Sequence, residues 1–324
     1  MKILVRLPNW LGDMVMSVGF VHQLQTSFPE AALSVIAKKG IHELLPFFPP
    51  TKHQFVFDKE AYKGLKGLWH FGHSIKSIES FDLFFCLPPS FSAAFMGWAT
   101  GAKKRIGYKG EGRSFLFTHA FTKPEHIHRA EQYTRLIEFF TGQKIPPPVV
   151  QLHHDFQKGE HIIVNINSEA SSRRLTVEKA AALLYELQKS VHLPILLIGA
   201  PNEAPFVEAA LQKAGVNKGI INKAGQTTLL QLAELLATAQ LVITTDSGPA
   251  HLANALGTKT IVLFGAGNEA ETAPYEEAFR TVIRLGKLSC EPCQKNKCVR
   301  YDIPQCLQQL NIDTIVKASL QQIR

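Results

Sequence analysis

No stretch of this 324-residue chain is apolar for long enough to cross a bilayer as a helix, because polar or charged residues interrupt every hydrophobic run well short of about 20 residues. An export signal is also lacking. Met1-Lys-Ile-Leu-Val-Arg-Leu7 reads as a β-strand, so the expectation is a cytoplasmic protein, at most peripheral to a membrane. Short-period repeats and low-complexity tracts are absent, and a hydrophobic content of 45% is enough for sizeable cores, which argues against disorder. Cysteine is scarce at five residues, and without an export signal stable disulfides are not expected. No Gly-x-Gly-x-x-Gly follows the first strand, so the dinucleotide fingerprint is missing. An RNP-type aromatic strand, a helix-turn-helix signal and a second Cys-x-x-Cys are missing too, and no nucleic-acid partner is expected.

Positive charge is present and unevenly placed. The formal net charge is +8, and residues 1–150 hold 18 Lys and Arg against 11 Asp and Glu, leaving the rest nearly neutral. A basic first half suits an anionic partner. Four of the cysteines cluster as Cys290-x2-Cys293-x4-Cys298-x7-Cys306. Four thiolates can ligate zinc, but the last spacing is irregular for a zinc ribbon, and reduced thiols in a loop are the expectation. Cys86, inside Leu83-Phe-Phe-Cys-Leu87, is read as core.

Short β-rich runs alternate with helical stretches throughout, which predicts α/β layers with mostly parallel sheets. The first half predicts strands at 2–7, 32–37, 53–57, 82–87 and 104–107, with helices over 13–28, 62–77, 92–100 and 130–141. Three successive prolines in Gln143-Lys-Ile-Pro-Pro-Pro-Val149 then mark a linker. The second half predicts strands at 161–165, 194–198, 219–222, 241–245 and 260–264, with helices over 177–190, 204–214, 228–239 and 249–256 and a final one at 312–323. Two Rossmann-like, doubly wound domains follow, 1–150 and 151–324, with a ligand expected in the cleft they face.

Chemistry-bearing residues fall at predicted strand ends. Leu241-Val-Ile-Thr-Thr-Asp-Ser-Gly-Pro-Ala-His251 is a strand running into a helix. Asp246 or Ser247 can cap that helix, Pro249 suits its first turn, Gly248 clears room for an anion, and His251 can donate to it. The same pattern also describes an ordinary capped helix. After the first strand, Pro8-Asn-Trp-Leu-Gly-Asp13 places Asp13 near a helix start, as a base for a hydroxyl nucleophile or simply as a cap. In the second half Asn165-Ile-Asn-Ser-Glu-Ala-Ser-Ser-Arg-Arg174 offers Arg173 or Arg174 to a diphosphate, and Leu197-Ile-Gly-Ala-Pro-Asn-Glu203 offers Glu203 to a ribose or base edge.

Taken together, Asn9-Trp-Leu-Gly-Asp13, Leu87-Pro-Pro-Ser-Phe91, Gly107-Tyr-Lys-Gly-Glu-Gly-Arg113 and Thr245-Asp-Ser-Gly-Pro-Ala-His251 occur in an order and spacing that resemble the lipopolysaccharide heptosyltransferases of glycosyltransferase family 9, most closely the heptosyltransferase II branch. The resemblance covers nearly the whole chain and implies the GT-B fold. It implies inverting transfer of heptose from ADP-L-glycero-D-manno-heptose to the heptose/Kdo inner core of lipopolysaccharide, on the cytoplasmic face of the inner membrane. By the resemblance Asp13 is the general base. Arg173, Glu203, Asp246, Ser247, Gly248 and His251 bind the donor, while Ser90, Lys104, Arg105, Lys109 and Arg113 meet the acceptor. Relatives carry lysine and then an Arg-Trp-Pro-like run where this chain has Arg173-Arg-Leu-Thr176, which keeps the charge but drops an aromatic ring and a proline. No metal is expected, since no Asp-x-Asp pair sits at a strand end.

Other readings diverge from this one. A family 9 enzyme with another acceptor, of heptosyltransferase I or III type or a protein glycosylator, shares every motif above. A basic nucleic-acid-binding α/β protein fits the charge alone. A two-domain sugar-nucleotide epimerase would share the fold, but paired acid/base carboxylates for epimerisation are not evident.

Overall fold

The computed structural model describes residues 1–216 and 218–323. The chain divides into two compact units, Met1–His153 and His154–Arg324.

The first unit runs β1 (Lys2–Arg6), α1 (Leu11–Met16), α2 (Val18–Ser27), β2 (Ala32–Lys38), β3 (Gln54–Phe57), α3 (Gly64–Ile78), β4 (Leu83–Cys86), α4 (Phe91–Ala99), β5 (Lys104–Tyr108), β6 (His119–Phe121) and α5 (Arg129–Thr141). Its six strands are ordered β3-β2-β1-β4-β5-β6, all neighbours parallel. Continuous apolar runs such as Leu83-Phe-Phe-Cys86 are buried throughout, as strands covered on both faces require. Phe20 of α2 meets Phe85 edge-on with ring centroids 5.4 Å apart, and each such fully buried ring stabilises the fold by about 1.5–3 kcal/mol. On α3, Leu68, Phe71, Gly72 and Ile75 recur at helical spacing and form its buried face.

The second unit runs β7 (Ile162–Asn165), α6 (Val177–Ser190), β8 (Ile195–Leu197), α7 (Ala204–Ala214), β9 (Ile220–Asn222), α8 (Leu229–Thr238), β10 (Leu241–Thr245), α9 (Gly248–Ala255), β11 (Thr260–Phe264), α10 (Glu269–Thr272), β12 (Arg280–Arg284), α11 (Gln305–Gln308) and α12 (Ile312–Ile323). Strand order is β12-β11-β10-β7-β8-β9, again all parallel. Thr176 starts α6 by accepting from the Lys179 N–H at 3.2 Å, and Thr228 with Gln231 forms a capping box on α8.

Counted within each unit, both sheets have the order 3-2-1-4-5-6, so each has one point where the chain reverses its direction of winding. These points lie between β1 and β4 and between β7 and β10. At the carboxyl edge of such a point two loops diverge, which opens a crevice for ligand.

Three details differ from expectation. The helix expected over 13–28 begins at Leu11 and is divided at Ser17, whose hydroxyl donates to the Met14 carbonyl at 2.6 Å. The edge strands β6 and β12 were not expected, because neither is fully buried and neither shows a clean apolar run. The proline run packs on α2: Gln23 donates to the Pro146 carbonyl at 3.2 Å, and a Cβ on Gly19 would lie 2.6 Å from Pro148 Cβ. No described helix is long and apolar enough to cross a membrane.

Candidate active site

Asp13 is the third residue of α1, just beyond the carboxyl end of β1, and its carboxylate does not cap the helix. Oδ1 instead accepts from two side chains of α5, Arg129 Nη1 and the Tyr133 hydroxyl, each at 3.2 Å. Residues 129 and 133 share a helix face one turn apart, so α5 offers both donors from a single surface. Burial, and then the Asp13 charge, hold the Tyr133 hydroxyl well above the ordinary tyrosine range, which keeps it protonated and donating. Neither Arg129 nor Tyr133 was singled out from the sequence, where they read as ordinary helix positions. Beneath this loop Arg6, fully buried at the end of β1, donates to the Leu7 carbonyl and to Asn9 Oδ1, which fixes the chain entering α1.

Across the same switch point, Ser90 caps α4, its hydroxyl accepting from the Ala93 N–H at 3.4 Å. Arg113 is buried, donates to the Pro88 carbonyl and lies over the Phe117 ring at 5.4 Å. It braces the Ser90 loop through the Pro88 and Ser90 carbonyls. Lys109 is exposed beyond the carboxyl end of β5. Lys104 and Arg105 are elsewhere. The parallel register pairs them with Leu83 and Phe84 at the start of β4, so they lie at the amino edge of the sheet, away from Asp13. Lys104 lies over the Phe140 ring at 5.5 Å, and Arg105 donates to the carbonyls of Leu116 and Ala102, both at 2.8 Å. Lys104 and Arg105 thus lie apart from Asp13, whereas Arg113 lies beside Ser90.

The donor-side expectations gather at the other switch point. Ser247 is the N-cap residue of α9, yet its side chain makes no cap. Its hydroxyl turns back to donate to the Thr245 carbonyl at 3.1 Å and accepts from Asn165 Nδ2 at 3.0 Å. No side chain therefore caps the start of α9, where Pro249 has no N–H, the Ala250 N–H donates to the Ser247 carbonyl at 3.1 Å, and the positive dipole end faces the loop. Asp246 is also not a cap. It is buried and ion-paired to Arg173 at 3.4 Å. Burial raises its carboxyl above the ordinary range, opposed by the charges of Arg173 and Arg284. A Cβ on Gly267 would overlap Asp246 Oδ2, so glycine is what lets the loop after β11 close on this acid. His251 is buried in the first turn of α9.

Below the loop lies a polar network that sequence reasoning missed. Asn165 Nδ2 donates to Thr244 Oγ1 at 3.1 Å, Thr245 Oγ1 to the Asn167 carbonyl, and Asn167 Nδ2 to the Ile198 carbonyl at 3.1 Å. Asn and Thr at strand ends look like loop residues in a sequence; here they tie β7, β8 and β10 together. Arg174 lies over the Phe206 ring at 5.0 Å and takes no part. Glu203 Oε2 accepts from the Ala200 N–H at 2.8 Å, so one carboxylate oxygen serves the turn after β8.

The four clustered cysteines are all reduced and line one small cavity with Ser172 and Ala266. Among the described residues no three His, Cys, Asp or Glu side chains are gathered as metal ligands. Their loop braces the turns beside Arg173 and Gly267: Ser172 Oγ donates to the Lys295 carbonyl at 2.5 Å, and the Gln294 N–H to the Ala266 carbonyl at 2.7 Å. A larger cavity, about 270 Å³, is lined by Asn268, Arg284 and Glu291 among others. Arg284 is paired with both Glu269 and Glu291.

The chain is 28% identical over 316 residues to lipopolysaccharide heptosyltransferase 2 of Escherichia coli, with 88% of each covered. To lipooligosaccharide heptosyltransferase 2 of Haemophilus influenzae it is 26% identical over 314 residues, covering 88% of this chain and 89% of that one. The solved structure of E. coli ADP-heptose lps heptosyltransferase II superposes with a TM-score of 0.83 at 23% identity, over 100% of this chain and 98% of that one. The sequence profile of glycosyltransferase family 9 (heptosyltransferase) matches residues 68–303, and the chain belongs to that family.

Proposed function

We propose that this chain is an inverting heptosyltransferase that moves heptose from ADP-L-glycero-D-manno-heptose to a sugar hydroxyl of the lipopolysaccharide inner core. Two features support the reading, one at the switch point of each unit. One point bears a carboxylate gripped at a single oxygen; the other bears an uncapped helix N-terminus beside an arginine.

In this reading Asp13 Oδ2 takes the proton of the acceptor hydroxyl while that oxygen attacks the anomeric carbon from the face opposite the diphosphate. Arg129 and Tyr133 keep Oδ1 occupied, so the second oxygen is the one turned to substrate. As the bond to ADP breaks, charge grows on the diphosphate, and Gly248, the α9 terminus, His251 and Arg173 meet it. Glu203 holds the nucleoside with its second oxygen, and Asp246 fixes Arg173 in place. Ser90 and Lys109 meet the acceptor.

Replacing Asp13 by Ala is expected to lower heptose transfer by at least about 100–10,000-fold, the range of a lost general base, while sparing ADP affinity. ADP release assayed with ADP-heptose and truncated inner-core acceptors, beside ADP titration calorimetry, checks both. Turnover at the original rate would remove Asp13 from the chemistry, and silence of the original protein with every such acceptor would remove the proposed substrate.

A further inference from the structure

α3 and α4 pack side by side, the Gly72 position lying against Ala99 and Met96, and a Cβ on Gly101 would meet the Lys76 side chain. On α4, Phe91, Phe95 and Trp98 recur at helical spacing, the first two partly buried against the core and Trp98 exposed, with ring centroids 6.2 Å apart for the first pair and 5.4 Å for the second. Phe115, from the 3-10 turn Ser114–Leu116, joins them 6.3 Å from Phe91 and is 75% exposed. On α3, Leu65 and Trp69 share the stripe that continues through Gly72 to Lys76, and Trp69 is 40% exposed. A row of large aromatic rings so exposed is costly in water and marks a surface that meets something apolar.

Charge says what that something is. Residues 64–78 and 90–101 contain Lys66 and Lys76 and no Asp or Glu. Of the carboxylates flanking these segments, Glu60 pairs with Lys63, Glu79 with Lys2 and Lys52, and Asp82 with Lys103, while exposed Glu111 precedes Phe115 by four residues. A second copy of this cationic face would be repelled by it, whereas an anionic lipid surface attracts the lysines and accepts the rings at its headgroup level.

We infer that the outward faces of α3 and α4, with Phe115, dock on an anionic phospholipid bilayer. This rests on the proposed function, whose acceptor is anchored in a membrane; Ser90 caps α4, so the docking face begins just after the proposed acceptor loop.

The full chain is to be sedimented with vesicles of phosphatidylethanolamine and phosphatidylglycerol, and with phosphatidylcholine alone, beside the variants Phe115→Ser and Lys66→Glu/Lys76→Glu. Binding to the phosphatidylglycerol vesicles is expected, weakened by about tenfold or more in each variant at unchanged far-ultraviolet dichroism. Each variant keeps the original rate on an acceptor stripped of its lipid. Full binding by both variants, no binding by the original chain, or a dimer that Phe115→Ser converts to monomer would overturn the docking face. Failure of the original chain to transfer heptose to the stripped acceptor would instead strike the proposed function, leaving the vesicle result to stand by itself.

Discussion

Tyr133 and Arg129 fix the Asp13 carboxylate, which on a short helix would otherwise have two equivalent oxygens and a free rotor. Removing the Tyr133 hydroxyl deletes one hydrogen bond to a charged acceptor, worth about 1.5–3 kcal/mol, so Tyr133→Phe is expected to lower kcat by about tenfold or more. KM for the donor should stay as it was. Steady-state kinetics with both substrates varied would check this, and an unchanged kcat would show that Arg129 alone suffices. Asp13 was legible because Gly12 and a strand precede it. Its holders were not, since they lie well over 100 residues away on a helix whose pattern shows only packing.

Elements explain which candidates stayed together. Lys104, Arg105 and Lys109 are close in sequence, but a strand five residues long separates the first two from the third by the height of the sheet. Chain proximity therefore misled where parallel register decided. The α9 start was legible as a turn, yet the choice between a cap and an open terminus hung on one hydroxyl rotor, which only packing against Asn165 and Thr244 settles. Glu79, after the last turn of α3, anchors that helix to Lys52 and Lys2, and the two lysines hold its carboxyl below the ordinary 4.5. A lowered carboxylate pKa adds stability above the unfolded value and loses it as pH falls. Glu79→Gln should thus lower the melting midpoint at pH 7 by about 2–4 °C, with the gap closing in acid. Parallel thermal melts at pH 7 and at pH 3 test the sign; a gap that persists at pH 3 would assign the loss to packing instead.

Over the whole molecule, the alternation of strands and helices made two doubly wound sheets legible, and nearly every central strand was expected within a residue or two. The edge strands β6 and β12 were not, because half-buried three- to five-residue runs carry too little apolar pattern. Charge asymmetry has a kinetic counterpart. With 18 cations against 11 acids in the first 150 residues, long-range attraction should favour the polyanionic acceptor of the proposed reaction more than ADP. Raising salt from about 50 to about 300 mM is expected to increase acceptor KM several-fold and the ADP dissociation constant less. Equal sensitivity in the two measurements would deny the first unit its role in attracting the acceptor.

Gly267 and Asp246 end neighbouring strands, and the space one lacks is the space the other fills. These two positions cannot drift separately: a side chain at 267 demands a shorter or redirected residue at 246, which would release Arg173. A chimera that borrows one of the two loops from a relative inherits a clash or a hole, whereas one that transplants both as a unit keeps the arginine in register.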